Sequence, residues 1–320
     1  MKILFNAYNC TLGNNGGTQT IIRSCETLND MGNEACILAK VNAYTLNPHK
    51  APIIKDIPIN GVRYFDAVIN VSAWEIQHTL SLEHPNSYWW LRLWEDYVVG
   101  VDIKKYITKI PMLVNSIGLQ RKLESYGVES QLIPQGIDDK FWHCVSDKPD
   151  KPRIGILAHT KERKRFKDAL AIVDKMGDKF QYSAVGESRS ITNVIRGQLK
   201  VRNIELSESL NKYRMRDFYS LCNIWLQTSD SEGLCNMAME AALCDCLIIA
   251  NVEGLSGIED YHQYVLTYFD VDHACTWLKQ YPDKYIERFV NNCKTEIKSK
   301  IGSRECCMEK MIKAISPNSK

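Results

Sequence analysis

Short apolar runs alternate with longer stretches of helical periodicity along nearly the whole chain, and this alternation limits the possible folds more than any other feature. Apolar runs of four or five residues, bounded by glycine or polar turns, suit strands buried on both faces. The amphipathic stretches between them suit the helices that cover such strands. The pattern predicts parallel sheets layered between helices. In the first half, residues 3–6 read as a strand leading into a polar, glycine-containing loop over 11–18. A helix follows, with Ile21, Ile22, Cys25 and Leu28 on one stripe and Gly32 as its stop. Residues 35–39, 67–71 and 112–115 read as further strands, 120–126 as a short helix ending at Gly127, and 130–133 as the last strand of this half.

The stretch SDKPDKPR over 146–153 is charged, proline-bearing and aperiodic, as expected of a linker. Beyond it the alternation restarts, with strands at 154–157, 182–185 (ending at Gly186), 204–206, 224–227 and 246–250, and a helix at 166–176. Two domains are expected, 1–148 and 149–320, each of a size that supports its own core. The last two amphipathic helices, over 283–315, have the length to pack back on the first domain. The expected fold class is α/β: two doubly wound, Rossmann-like domains facing a cleft at the carboxyl ends of their sheets.

A net charge of +2 sets up no global field of the kind that marks a polyanion binder, and leaves room only for a local basic patch. The twelve cysteines are scattered through apolar segments, which suits small buried hydrophobes in a reducing compartment. Cys244 and Cys246 are separated by one residue and Cys306 and Cys307 are adjacent, so no two pairs have zinc-ligand spacing. The opening MKILFNAYN is too briefly apolar for a secretory signal, and no run approaches 18 apolar residues. A cytoplasmic chain without a transmembrane segment is expected. The one D-x-D, Asp270-Val271-Asp272, reads as the cap of a helix starting near His273 and not as a cation site.

The most informative stretch is SDSEGLCNMAMEAALCDCLIIA, residues 229–250. A strand ends at Gln227, a polar loop follows, and Glu232-Gly233 leads into a helix that carries Glu240. Free backbone N–H groups at a helix start attract an anion such as a diphosphate. Gly233 lets a ligand approach the main chain, and nearby carboxylates can accept hydrogen bonds from sugar and ribose hydroxyls. Here the chain resembles the retaining GT-B glycosyltransferases of the glycogen synthase and lipopolysaccharide-glycosyltransferase kind. Their E-x7-E signature is matched by Glu232 and Glu240 in EGLCNMAME. The following EAALCDCLIIA is similar to the family's E-A-x-A-x-G-x-P-V-I-A, with Asp245 and Leu247 in place of the customary glycine and proline. The resemblance implies that Glu232 contacts the donor sugar and Glu240 the ribose, with Gly233, Leu234 and Cys235 lining the donor site.

Other stretches fall in the family's order. Gly16-Gly17-Thr18 resembles the N-terminal glycine loop that lies against donor phosphates or the acceptor, a plain strand-to-helix turn being the alternative. VNSIGLQRKLESYGVESQLIPQGID over 114–138 is similar to the passage that closes the family's first domain, with Gln135 for asparagine. Gly186 looks like the first glycine of V-G-x-G, whose second is missing. In KERKRFK, 161–167, five of seven positions are basic. Members of the family neutralise the departing diphosphate here with an arginine and a lysine. Placing Lys164-Arg165 on their lysine-glycine puts His159 at the arginine position, with Arg163 or Lys161 as substitutes. Positive charges at a helix start oppose its dipole and call for an anion.

PNSYWWLRLWEDYVVG, 85–100, is the least familiar part. Where the family has a histidine, this chain reads Arg92-Leu93-Trp94-Glu95-Asp96, and the spacing of His78 and His84 does not match. Either Glu95 or Asp96 is expected to orient the acceptor, or a side chain from elsewhere in the chain fills the gap. Trp90 and Trp94, with Arg92, form a candidate acceptor platform, and core packing is the alternative.

The resemblance implies retaining transfer from a nucleotide diphosphate-sugar, a UDP-sugar first, to a glycan, lipid, protein, small molecule or modified DNA. The basic residues Lys161, Arg163 and Lys164 stabilise the leaving group, and neither metal nor cofactor is required. The aromatic segment and basic run also admit a phage-type transferase acting on hydroxymethylated DNA bases. A nucleotide-sugar epimerase and a non-catalytic nucleotide-sugar-binding protein are the remaining alternatives.

Overall fold

The computed structural model describes residues 1–57, 61–96, 101–281 and 284–316. Positions 97–100 of the aromatic segment and residue 283 of the terminal helices lie outside the described residues. The chain forms two compact units, Met1–Gly136 with Gly302–Lys320, and Ile137–Ile301.

Unit 1 is built on a parallel sheet of β1 (Lys2–Asn6), β2 (Glu34–Leu38), β3 (Ile53–Ile54), β4 (Ala67–Asn70), β5 (Ser87–Leu91), β6 (Met112–Val114) and β7 (Ser130–Leu132). Their spatial order is β3-β2-β1-β4-β5-β6-β7. The strand direction of growth therefore reverses between β1 and β4. Helices α1 (Gly16–Asp30), α2 (Ile76–Ser81) and α3 (Ile117–Glu124) follow β1, β4 and β6. α1 opens at Asn15, whose side chain accepts from Thr18 N, and the turn after it uses Gly32 at φ +84°. α3 starts three residues before the expected 120, because Ser116 caps it through Leu119 N.

The aromatic segment yields a strand that its composition did not signal. Side chains alternate across a sheet, so Trp90 joins the core containing Phe5 and Leu113, while Trp89 enters the opposite one with Ile76 and Met112. Both indoles are wholly buried. The helix Arg304–Ile315 also belongs to this unit, with Met308, Met311 and Ile315 packed into the core under β1. Gly136, at φ +70°, is obligatory there: a Cβ would come within 2.5 Å of the Arg304 Cα.

Unit 2 repeats the plan with β8 (Arg153–Leu157), β9 (Gln181–Gly186), β10 (Glu205–Glu208), β11 (Ile224–Gln227), β12 (Leu247–Asn251) and β13 (Leu266–Tyr268), in the order β10-β9-β8-β11-β12-β13. The reversal here falls between β8 and β11. Helices α4 (Phe166–Met176), α5 (Asn193–Val201), α6 (Lys212–Ser220), α7 (Asn236–Leu243), α8 (Val271–Lys279) and α9 (Lys284–Glu296) cover it. Asp270 caps α8 by accepting from His273 N at 2.8 Å. All twelve cysteines are free and eight are buried.

The stretch expected to be the linker, 146–153, lies inside unit 2. Lys148 Nζ donates to the carbonyl oxygens of Tyr219, Cys222 and Cys244 at 3.1, 2.6 and 2.7 Å, which replace the water its charge would otherwise demand. Its composition pointed to solvent, but the boundary between units falls at Gly136/Ile137.

Asp245 stands just past the end of α7 at φ +61°, the left-handed position where glycine is favoured. Aspartate tolerates this better than other side chains with a Cβ, and Lys294 Nζ meets its carboxylate at 2.5 Å. Asp245→Ala should therefore lower stability by about 1 kcal/mol. Asp245→Gly should be at least as stable as the parent, because the strain it relieves offsets a half-exposed ion pair worth about 0–1 kcal/mol. Urea denaturation of the three proteins checks the order.

Candidate functional site

The two loops that leave the carboxyl ends of β8 and β11 flank the point where unit 2 reverses its strand order, the place where open α/β sheets take ligands. The structure brings Glu232, Lys164 and Arg163 together there. Lys164 Nζ donates to Glu232 Oε1, Arg163 Nη1 lies 3.6 Å from Glu232 Oε2, and the same guanidinium donates to Ser231 O at 2.8 Å. The backbones are joined too: Thr228 Oγ1 donates to Lys164 O at 2.7 Å and Asp230 N to Arg163 O at 3.0 Å. Trp225 Nε1 bonds Gln227 Oε1, which leaves Gln227 Nε2 to donate to Ser229 Oγ at 2.9 Å and to Glu232 Oε1 at 3.4 Å.

The Glu232 side chain is only 13% exposed. Burial alone would push its carboxyl up, but Lys164 and then Arg163 outweigh that and hold it below the usual glutamate value. Lys161, reached through the same turn, has no carboxylate within ion-pair distance among the described residues. Loss of water, and next the like charges of Arg163 and Lys164, hold its ammonium below the usual lysine value. Glu187 and then Glu232 act on it from a distance, opposing that shift.

His159 does not add a fourth cation. Its Nδ1 accepts from Lys161 N at 2.9 Å, which leaves Nε2–H to donate to Ser190 Oγ at 3.2 Å. Burial, then the charges of Lys161, Lys164 and Arg163, push its pKa down to about 4. The imidazole is neutral near pH 7 and cannot replace an arginine. Arg165, at the position where the resembled family has glycine, adopts φ +47°. Its guanidinium is committed to Asp168 and Glu253, each at 2.7 Å. The basic run is therefore not a bare helix start awaiting an anion: Arg163, Lys164 and Arg165 already have carboxylate partners.

Glu240 lies in α7 and is 8% exposed. Burial pushes the Cys235 thiol up to about 12, with Glu232 and Glu240 both within electrostatic reach of it. α7 begins at Asn236, three residues past Gly233, and the side chains of Leu234 and Cys235 are core. Cys235 N donates to Gly257 O at 2.8 Å, so that amide is committed within the protein. Gly186 has a packing role, since a Cβ there would come within 2.4 Å of Ala158 O. Two glycines that sequence reasoning missed, Gly254 and Gly257, lie in the turn Val252–Gly257. A Cβ at Gly254 would come within 2.2 Å of Ser229 O, and one at Gly257 within 2.5 Å of Glu232 Cβ. Their spacing of three after β12 was the available signal.

The unit 1 candidates separate. Trp90 is fully buried with Nε1 donating to Ile133 O at 2.9 Å, and Trp94 is 6% exposed and stacked on Tyr126 with centroids 5.5 Å apart. Neither offers a face to an acceptor; the core alternative holds. Arg92 is a tether, donating to Gly17 O and Val71 O, each at 2.7 Å, and so fixing the start of α1 at Gly16-Gly17. Glu95 Oε2 accepts from Ala73 N at 2.6 Å, and Asp96 is exposed. Sequence reasoning missed Glu75, fully buried and bonded to Asn9 through both N and Nδ2, at 2.7 and 3.2 Å.

No family model matches the sequence, and no curated protein does. Solved structures do. Anabaena Alr3699/HepE in complex with UDP and glucose matches at TM-score 0.78 and 12% identity, over 99% of this chain and 100% of that one. Sucrose-phosphate synthase from Thermosynechococcus elongatus matches at 0.78 and 15%, over 98% of each chain. The lipopolysaccharide outer core galactosyltransferase WaaB matches at 0.71 and 15%, over 98% of this chain and 99% of that one. At such identities the likeness is one of fold, and the fold class is GT-B: α/β, with parallel sheets in both units.

Removing one partner of a buried ion cluster strands the other, so Lys164→Met should cost about 3 kcal/mol at neutral pH. In the parent, the depressed Glu232 value gives stability that is present above the unfolded pKa and lost as pH falls through the folded one. Without Lys164 the carboxyl rises with burial, and acid then favours the folded mutant. The stability gap between mutant and parent should narrow from pH 8 to pH 5 in thermal melts; a constant gap would place the cost elsewhere.

Proposed function

We propose that the chain is a retaining glycosyltransferase, moving a sugar from a nucleotide diphosphate-sugar, a UDP-sugar first, to an acceptor hydroxyl. The observation that carries the reading is the Glu232 carboxylate buried against Lys164 and Arg163 at the switch point of unit 2. Support comes from the GT-B fold and from HepE, which is known in complex with UDP and with UDP-glucose.

In this reading Lys161, Arg163 and Lys164 carry the charge that develops on the leaving diphosphate, in a partly buried setting where such charge counts most. The side chains alone supply that compensation in this reading, and no resident metal is called for. Glu232 accepts hydrogen bonds from the donor sugar and Glu240 from the ribose. Because Lys164 and Arg163 already bind Glu232, an arriving diphosphate shares them instead of displacing water from bare charges. The bond between the anomeric carbon and the diphosphate oxygen breaks as the acceptor oxygen bonds to that carbon from the same face, its proton passing to the departing phosphate oxygen. An epimerase would turn over without an acceptor, which separates that alternative, and a non-catalytic binding protein would not consume the donor.

Glu232→Gln and Glu240→Gln should each lower transfer by about 100-fold or more while circular dichroism shows an intact fold. UDP should raise the melting temperature of the parent, and by less in Lys161→Ala. Unchanged transfer in the folded glutamate variants, or a parent indifferent to UDP, GDP and ADP with no consumption of UDP-glucose, would overturn the reading.

A further inference from the structure

Unit 1 reverses its strand order between β1 and β4, and the loops leaving those strands are built as tightly as their counterparts in unit 2. At the strand ends Asn6 Nδ2 donates to Thr79 Oγ1 at 2.8 Å, Thr79 Oγ1 to Asn70 Oδ1 at 2.9 Å, and Asn70 Nδ2 to Ser72 O at 3.0 Å. The loop after β1 is tied to Glu75 through Asn9, and Cys10 Sγ lies 3.2 Å from Ser72 Oγ. The turn Ala73–Glu75 is fixed at both ends. Ala73 N donates to Glu95 Oε2, and Glu75 N donates to Ser72 O at 3.1 Å while its carboxylate is sealed in the interior.

Between those two fixed residues stands Trp74, 53% exposed. Five of the other six tryptophans are buried. The fold draws little from an indole left in water, although this one is carried on a turn bonded at both ends. A flat apolar face exposed on a turn between Ser72 and Glu75 suits a pyranose ring, whose C–H face stacks on indole. The local charge selects further. Glu75 and Glu95 are both within electrostatic reach of Cys10, Arg92 is spent on two backbone carbonyls, and Lys40 lies over the Tyr8 ring. A polyanion such as DNA is repelled there, whereas a neutral polyol is not.

We propose that Trp74 is the platform on which a neutral glycan acceptor stacks, at the switch point of unit 1. The proposal deepens the glycosyltransferase reading, on which it rests for the word acceptor. The test uses immobilised maltose, lactose, cellobiose and chitobiose, with a hydroxymethylcytosine duplex beside them, probed with the full-length parent, Trp74→Ala and Trp74→Phe. The parent should bind at least one disaccharide, Trp74→Ala should bind it at least about tenfold more weakly, and Trp74→Phe should recover most of the loss. All three should keep the same melting temperature and the same UDP-induced rise. Equal binding by Trp74→Ala, a parent that binds none of the disaccharides, or binding to the duplex alone would overturn the platform. Failure of the glycosyltransferase reading shows separately, as disaccharide binding retained without any response to UDP or consumption of UDP-glucose.

Discussion

The ion cluster of Glu232 with Lys164 and Arg163 is the constraint on which the rest of unit 2's carboxyl edge depends. Taking a carboxylate out of water is tolerable only when partners replace the lost solvation, and here the partners come from a different loop. The Thr228 hydroxyl, donating to Lys164 O, and the main-chain bond from Asp230 N to Arg163 O tie the same two loops together. Charge pairing and main-chain pairing thus define one geometry together. A site assembled this way needs little rearrangement when a ligand arrives, which is what preorganised electrostatics requires.

Much of the fold was legible because doubly buried parallel strands leave a plain apolar signature; β8 and β11 sit where their runs of apolar residues put them. β5 was not, because SYWWL reads as well for a ligand platform as for a strand, and only the sheet decides that Trp89 and Trp90 face opposite cores. The linker reading failed for a related reason. Lys148 looks solvated in sequence, but three carbonyl oxygens from elsewhere in the chain supply its hydration. Local composition cannot report partners that arrive from 70 or more residues away.

Within the candidate site, residue identity was less informative than backbone need. Arg165 and Asp245 stand where the resembled family has glycine, and both adopt positive φ. Both are conformations that favour glycine, and ion pairs to Asp168, Glu253 and Lys294 hold the two residues in them. His159 is the opposite case: a residue that in sequence could carry charge has its pKa pushed down by burial and then by the cations around it.

The two switch points share a topology and differ in charge, and that difference carries chemical information. In unit 2 the Glu232 carboxylate is paired with Arg163 and Lys164, and Lys161 stands close to both cations without an ion pair of its own. In unit 1 Glu75 and Glu95 brace the loops, Arg92 is consumed as a tether, and the exposed group is the indole of Trp74. The proposed roles follow that difference: the cationic loops of unit 2 for a departing diphosphate, the exposed face of Trp74 in unit 1 for an uncharged sugar.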